Sequence, residues 1–253
     1  MKKCVSAREK RDLLTKALCS PRADLIFRNW AESGELKEFF PEIEAMRGVT
    51  QPPEFHPEGD VFEHTMIMLK HMVFADPFLA WSVLLHDVGK PLTRSVESSG
   101  RIRFFGHEEK GAEMVPAILK RFDFQEQEIG IITHAVRNHM RFANVTDMRE
   151  AKLKRLIREE YFPLELELHR LDCISCHGKM ECFDFLLGKT VQLAKENAEV
   201  TPLVSGKDLL ALGMPPGKGM GDLLAQVKQM QCAGVLLTRE KALGFVKQTI
   251  NKG

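Results

Sequence analysis

Residues 81–91 read WSVLLHDVGKP, an apolar run with helical character that delivers His86 and Asp87 side by side. Ionisable groups inside an apolar segment are costly unless they are paired or hold a metal. Packing therefore gives no reason for this pair, and metal ligation does. Further out lie His64 in DVFEHTMIMLKHM, His107 in FFGHEEKGAEM, His139 in AVRNHMRF and Asp172 in LHRLDCIS. Two-metal hydrolytic sites need several neutral imidazoles plus carboxylates, one of which bridges the ions. An adjacent His-Asp supplies a terminal ligand and a natural bridge.

Apolar residues recur at three and four almost throughout the chain, Gly and Pro fall at segment ends, and alternating runs are rare, which predicts an all-α fold. Helices are expected over 6–19, 22–31, 34–39, 60–75, 77–88, 107–121, 125–140, 149–159, 163–177, 181–198, 205–212, 219–232 and 238–250. One hairpin is expected between Thr93 and Phe105, where Arg101-Ile102-Arg103-Phe104 alternates and Glu97-Ser98-Ser99-Gly100 is turn chemistry leading on to Gly106-His107. A boundary near Thr201-Pro202 would separate residues 1–200, with a core over about 56–180, from a small helical tail, 201–253. The glycine-rich stretch Gly213–Gly221 reads as an interhelical turn. A phosphate-holding loop is the minority reading there.

With 253 residues and 44% hydrophobic content the chain can bury a sizeable core. A formal net charge of +1 gives no global signature of a nucleic-acid binder, although a local basic face such as Lys152-Leu153-Lys154-Arg155 remains available. No apolar run reaches membrane-spanning length and the start MKKCVSAREKRDLL turns charged at once, so a cytoplasmic protein is expected. The six cysteines read as reduced thiols. Cys173-Ile174-Ser175-Cys176-His177 matches a haem-attachment spacing, and with Cys182 a zinc site, but small residues packing on a helix explain it better.

Two histidines compete in EIGIITHAVRNHMRF. Four and seven residues before His139 stand Ala135 and Ile132, whereas His134 shares its face with Gly130, Arg137 and Asn138, so His139 faces the core and His134 the surface or the outer shell. His56, His71, His169 and His177 are read as neighbours or packing residues. Lys90 follows Asp87 by one helical turn and would neutralise charge on a transferred phosphoryl group. Arg94 and Arg137 are weaker candidates for the same work.

The ordered set His64, His86-Asp87, His107, His139, Asp172, with a lysine three residues after the pair, resembles the HD-domain metal-dependent phosphohydrolases. PEFHPEGDVFEHT, LLHDVGKPLTR, GRIRFFGHEEKGAEM and PLVSGKDLLALGMPPGKGMGDLLAQV further resemble the HD-containing C-terminal half of bacterial tRNA nucleotidyltransferases, the CCA-adding enzymes. The nucleotide-adding head of that family carries a D-x-D or E-x-D pair on a strand. No D-x-D occurs here, and Glu165-Leu166-Glu167 falls in a helical run, so nucleotide addition is not carried over. The resemblance implies two divalent transition-metal ions (Mn, Fe, Co, Ni or Zn) on the six residues, with Asp87 as bridge. Asp87 and Lys90 would be catalytic, and the substrate a phosphomonoester or a cyclic or linear phosphodiester of a nucleotide or RNA end. The family's N-H-M/L pattern also favours His139 over His134. The alternative is an RNA-binding or partner-binding body of a split tRNA nucleotidyltransferase with a structural metal site. Six intact ligands argue against it, because a degenerate site should have lost at least one.

Overall fold

The computed structural model describes residues 6–72, 76–199, 202–232, 235–236 and 238–250. The fold is all-α with one hairpin. The elements are α1 (Ala7–Leu18), α2 (Ala23–Ser33), α3 (Glu35–Phe39), α4 (Pro41–Glu44), α5 (Val61–His71), α6 (Pro77–Leu85) and α7 (Lys90–Thr93). Then come strands β1 (Ser95–Val96) and β2 (Ile102–Arg103), α8 (His107–Lys120), α9 (Glu126–Asn138), a 3-10 turn at Val145–Asp147, α10 (Glu150–Ile157), α11 (Phe162–Ser175), α12 (Glu181–Glu199), α13 (Gly206–Ala211), α14 (Lys218–Cys232) and α15 (Arg239–Ile250). Contacts divide the chain into two compact units, residues 1–188 and 189–253. Of the expected boundary pair Thr201-Pro202, Thr201 lies outside the described residues.

In the first unit α6 is buried from Leu79 to Leu85. A helix that is apolar all round has to be enclosed, and α1, α5, α9 and α11 all pack on α6. Trp81 donates its indole N–H to Thr15 Oγ1 at 2.9 Å, so its one polar atom is satisfied within the core. Shortening a leucine such as Leu84, fully buried here, would cost about 2–5 kcal/mol. Side-chain caps fix where the site-bearing helices begin. The Asp60 carboxylate accepts from Glu63 N at 3.1 Å to start α5, and Asp76 accepts from Leu79 N at 2.9 Å to start α6. Each cap contributes about 1 kcal/mol.

The expected 77–88 helix stops at Leu85, and His86–Gly89 form a turn before α7. Pro91 explains the break: inside a continuous helix its ring would meet the carbonyl of Asp87 and its missing N–H would leave a bond unmade. The helix expected over 34–39 forms as α3, and two short helices outside the expected pattern, α4 and α7, each have a proline in the first turn. The hairpin forms where expected, with Ser95 opposite Arg103 and Val96 opposite Ile102, though each strand is only two residues long. The expected 60–75 helix ends at His71, and residues 73–75 lie outside the described ones.

The second unit has its own small core of Val204, Leu209, Leu223, Val227, Ala242 and Val246. Asp208 closes a capping box with Ser205 and ion-pairs with Arg239 at 2.5 Å. Gly213, at φ +84°, follows α13, so residues 213–217 of the glycine-rich stretch form the turn and Lys218–Gly221 open α14. Among the described residues no helix is long and apolar enough to cross a membrane.

Candidate metal centre

The six residues singled out in the sequence come together from five segments. His64 lies on α5, His86 and Asp87 on the turn after α6, His107 at the first position of α8, His139 just past α9, and Asp172 on α11. They form two groups whose ligand atoms lie within 4.8 Å of one another: His64, His86 and Asp172, and Asp87, His107 and His139. His64 Nε2 is 3.1 Å from Asp172 Oδ1. Asp87 reaches both groups, with Oδ2 3.0 Å from His86 Nε2 and Oδ1 3.4 Å from His107 Nε2 and 3.8 Å from His139 Nε2.

The hydrogen bonds of the imidazoles fix what they can do. The Nδ1 atoms of His86, His107 and His139 each contact a carbonyl oxygen three residues earlier, Val83 at 2.9 Å, Phe104 at 2.8 Å and Val136 at 2.6 Å. A carbonyl only accepts, so each Nδ1 carries a proton, and in the neutral imidazole each Nε2 presents its lone pair to the centre. The Nε2 atoms of His107 and His139 then face each other at 3.1 Å. Two lone pairs at that separation repel unless a cation lies between or beside them. His86 Nε2 and Asp87 Oδ1 are buried without a hydrogen-bond partner, while Asp87 Oδ2 is ion-paired with Lys90 Nζ at 2.7 Å. Orphaned buried acceptors of this kind suit a divalent ion, and imidazole-rich donors suit the transition metals.

Charge is distributed unevenly. Burial alone would raise the Asp87 carboxyl, yet the facing His86 and Lys90 outweigh it and hold it well below the usual carboxylate range. Burial likewise opposes a charged His64, but the Asp172 and Glu58 carboxylates prevail and push it up to about 9. His139 is pushed down to about 3 by burial and by the neighbouring His107 and His86. Among the imidazoles His64 thus favours its proton and His139 refuses one.

Glu58 and Gln51 were not singled out in the sequence. Glu58 Oε1 lies 2.8 Å from His64 Nδ1 and 2.9 Å from His56 Nδ1, so it backs the imidazole on the side away from the centre, as outer carboxylates do at metal sites. Lys90 is buried, not a solvated helix end. Its Nζ ion-pairs with Asp87 Oδ2 at 2.7 Å, donates to Gln51 Oε1 at 2.7 Å, and sits 5.5 Å from the centre of the Phe104 ring. The only sequence signal for Glu58 was its place in the His56–Asp60 loop, directly before α5.

A cavity of about 450 Å³ opens onto the centre and is lined by Asp87, Lys90, His107, His139 and Asp172, among others. Arg94 and Arg137 do not line it. Arg137 donates to Glu109 at 3.0 Å on the surface, and the cavity's arginines are Arg101 and Arg103 from the hairpin. A larger cavity of about 720 Å³ beside α11 contains none of the six residues. His134, the histidine read as outer, lies 3.1 Å from Glu165 and meets the Tyr161 ring edge-on. His71 is exposed. Burial and the nearby Asp172 push the thiols of Cys173 and Cys176 up to about 12, and no group of metal-type ligands among the described residues includes a cysteine.

Residues 61–174 match the family model of the HD domain. The chain is 32% identical over 250 residues to a CC-adding tRNA nucleotidyltransferase of Thermus thermophilus, covering 95% of this chain and 56% of the relative. It is 32% identical to an A-adding tRNA nucleotidyltransferase of Deinococcus radiodurans, covering 94% and 57%. A multifunctional CCA protein of Acinetobacter baumannii is 31% identical over 171 residues, or 67% of this chain and 38% of the relative. The chain therefore spans little more than half the length of the curated relatives it matches.

Proposed function

Because residues 61–174 of this chain form an HD domain, we propose that it is a metal-dependent phosphohydrolase that cleaves a phosphomonoester or a cyclic or linear phosphodiester of a nucleotide or RNA end. The observation that carries the proposal is Asp87, whose two oxygens face two different imidazole groups. Its residues would hold two divalent transition ions (Mn, Fe, Co, Ni or Zn), with His64, His86 and Asp172 on one side, His107 and His139 on the other, and Asp87 bridging. Such ions polarise a phosphoryl oxygen and make water a stronger nucleophile when bound.

The chain's own side chains supply the rest. The backbone carbonyls of Val83, Phe104 and Val136 hold three imidazoles in the tautomer that leaves Nε2 free. Lys90, fixed by Asp87 and Gln51, places a point charge at the cavity wall, where charge develops on the phosphoryl oxygens. In the overall reaction a water oxygen bonds to phosphorus, the ester P–O bond breaks, one water proton goes to the leaving alkoxide, and the other stays on the new phosphate oxygen until that phosphate ionises. Residues 1–200 would form the hydrolase unit and 201–253 a tail like the RNA-holding body of the related enzymes. tRNA or RNA as a partner is supported by the names of the relatives. A cytoplasmic setting fits the same relatives.

A second reading, an RNA-binding or partner-binding body with a structural metal, is favoured by similarity that runs through the tail as well as the HD domain. Elemental analysis of the purified protein, with a panel of phosphoesters that includes nucleoside 2′,3′-cyclic phosphates, separates the two. Chelator-sensitive turnover supports hydrolysis. A metal-loaded protein that is inert on the whole panel yet binds RNA would establish the second reading.

A further inference from the structure

The hairpin and the loop before α5 bring exposed aromatic rings to the cavity that opens on the metal centre. Phe105 is 76% exposed and Phe55 48%, and both line that cavity. Leaving a large ring in water is unfavourable, at about 25 cal/mol per Å² of apolar surface, and neither ring is part of a core cluster. Phe105 is also held in place. The Arg103 guanidinium lies 5.6 Å from its ring centre and is itself fixed to Glu97 at 2.9 Å across the hairpin. Two residues later comes His107, after Gly106 in the left-handed region at φ +73° turns the chain inward. The exposed ring is therefore tied by two peptide units to a proposed metal ligand.

Arg101 lines the same wall, and no carboxylate partner for its side chain is found among the described residues. A wall with rings and guanidinium groups beside a phosphate-type centre fits a planar aromatic group that carries further anionic charge. Aromatic rings and arginines are how proteins hold unpaired bases, through stacking and cation–π contacts. The volume, about 450 Å³, falls in the range of about 300–1,000 Å³ for small-molecule sites. It suits one nucleotide and excludes a duplex.

We propose that Phe105, with Phe55, stacks the nucleobase attached to the scissile phosphate, and that Arg101 and Arg103 receive the next phosphate along a single strand. The substrate class is then the unpaired end of an RNA or a free nucleotide, in preference to base-free phosphoesters. This rests on the hydrolase reading for its chemistry, while the base-binding wall stands on its own geometry.

The test compares adenosine 2′,3′-cyclic phosphate with glycerol 1,2-cyclic phosphate, which has the same reacting ring and no base, on wild-type, Phe105→Ala and Phe105→Trp protein loaded with metal. Stacking of one base corresponds to a loss on the order of ten- to a hundredfold. The ratio of kcat/KM for the two substrates should fall by that factor in Phe105→Ala, mainly through KM, and be restored in Phe105→Trp. A ratio equal to the wild-type value in Phe105→Ala overturns the proposal. Binding of adenosine 3′-monophosphate, followed by calorimetry, needs no turnover. If wild type hydrolyses neither substrate, the hydrolase reading fails alone when Phe105→Ala still weakens this binding tenfold or more, and the base-stacking wall fails too when it does not.

Discussion

The backbone of Gly89 lies against that of His107 so closely that a Cβ on Gly89 would stand 2.2 Å from the His107 carbonyl oxygen and 2.6 Å from Gly111 N. The turn that carries His86 and Asp87 thus touches α8 directly, with no side chain between, and Asp87 comes within 3.4 Å of His107 Nε2.

Gly89→Ala should therefore push α8 away from the turn. Overpacking of this kind costs about 1–3 kcal/mol, and we expect a lower melting temperature together with loss of metal, because His107 moves off Asp87. Elemental analysis and thermal melting on one preparation check this. Full metal content at an unchanged melting temperature would show that the contact relaxes without consequence.

Asp87→Ala should abolish turnover and leave the helical content close to wild type, since it removes the group shared by both sets of ligands. Asp87→Asn keeps the shape and should also be inactive. Turnover at the wild-type rate in either variant, free of metal, would contradict the mechanism. His139→Ala should lower the metal content by about one ion per chain under the two-ion scheme, whereas His134→Ala should change it little, because His134 is turned toward Glu165. Equal metal loss in both would refute the helix-face argument that chose between them.

Lys90→Ala should reduce turnover on the order of 10²-fold, and Lys90→Arg should recover only part of it, since a planar guanidinium cannot replace a compact ammonium between Asp87 and Gln51. Gln51→Ala should act in the same direction with a smaller effect by loosening Lys90. Rates and metal stoichiometry measured together separate the roles. Loss of metal in parallel with activity would assign Lys90 to support of Asp87.

The chelated protein should be most stable near pH 6.5. His64, raised to about 9 from an ordinary 6.5, contributes stability that is present below about 6.5 and lost as pH rises through 9. His139, lowered to about 3, stays neutral in the fold while the unfolded chain takes up a proton, so stability also declines as pH falls below 6.5. Glu58, lowered to about 2 by His56 and His64 against its burial, adds to the acid-side loss below about 4.5. Melting temperatures from pH 4 to 9 in excess chelator test this. A steady rise from pH 6.5 to 9 would contradict the His64 contribution.

The six gathered residues are legible in the sequence as an ordered set: His86-Asp87 interrupts an apolar run, and the spacing of His64, His107, His139 and Asp172 around it resembles a family pattern, whereas His107 alone, between Gly106 and Glu108, carries no local signal. The end of α6 at Leu85 is not legible, because the apolar period runs on to Val88 and the break depends on Pro91 together with the crossing of α8 at Gly89. Gln51 and Glu58 lie in a loop without periodicity. The bond from Lys90 to Gln51 spans 39 positions, and no local pattern encodes such a contact. Arg94 and Arg137 lie near the ligands along the chain, whereas the hairpin brings Arg101 and Arg103 to the cavity.

The hairpin pairs only two residues on each strand, and all of Ser95–Gly100 is exposed. An isolated two-stranded ribbon adds little to stability in water, while the main core of the first unit is built from helices and the turns beside them, and the six polar residues lie on α5, α8 and α11 and on the turns after α6 and α9. What the protein accepts and what keeps it folded are thus inherited from different stretches of chain. If the proposed base-binding wall is right, exchange of residues 95–105 between homologues should change which phosphoester is preferred without retuning thermal tolerance, which makes this ribbon the natural place for evolution, or a protein engineer, to alter ligand choice.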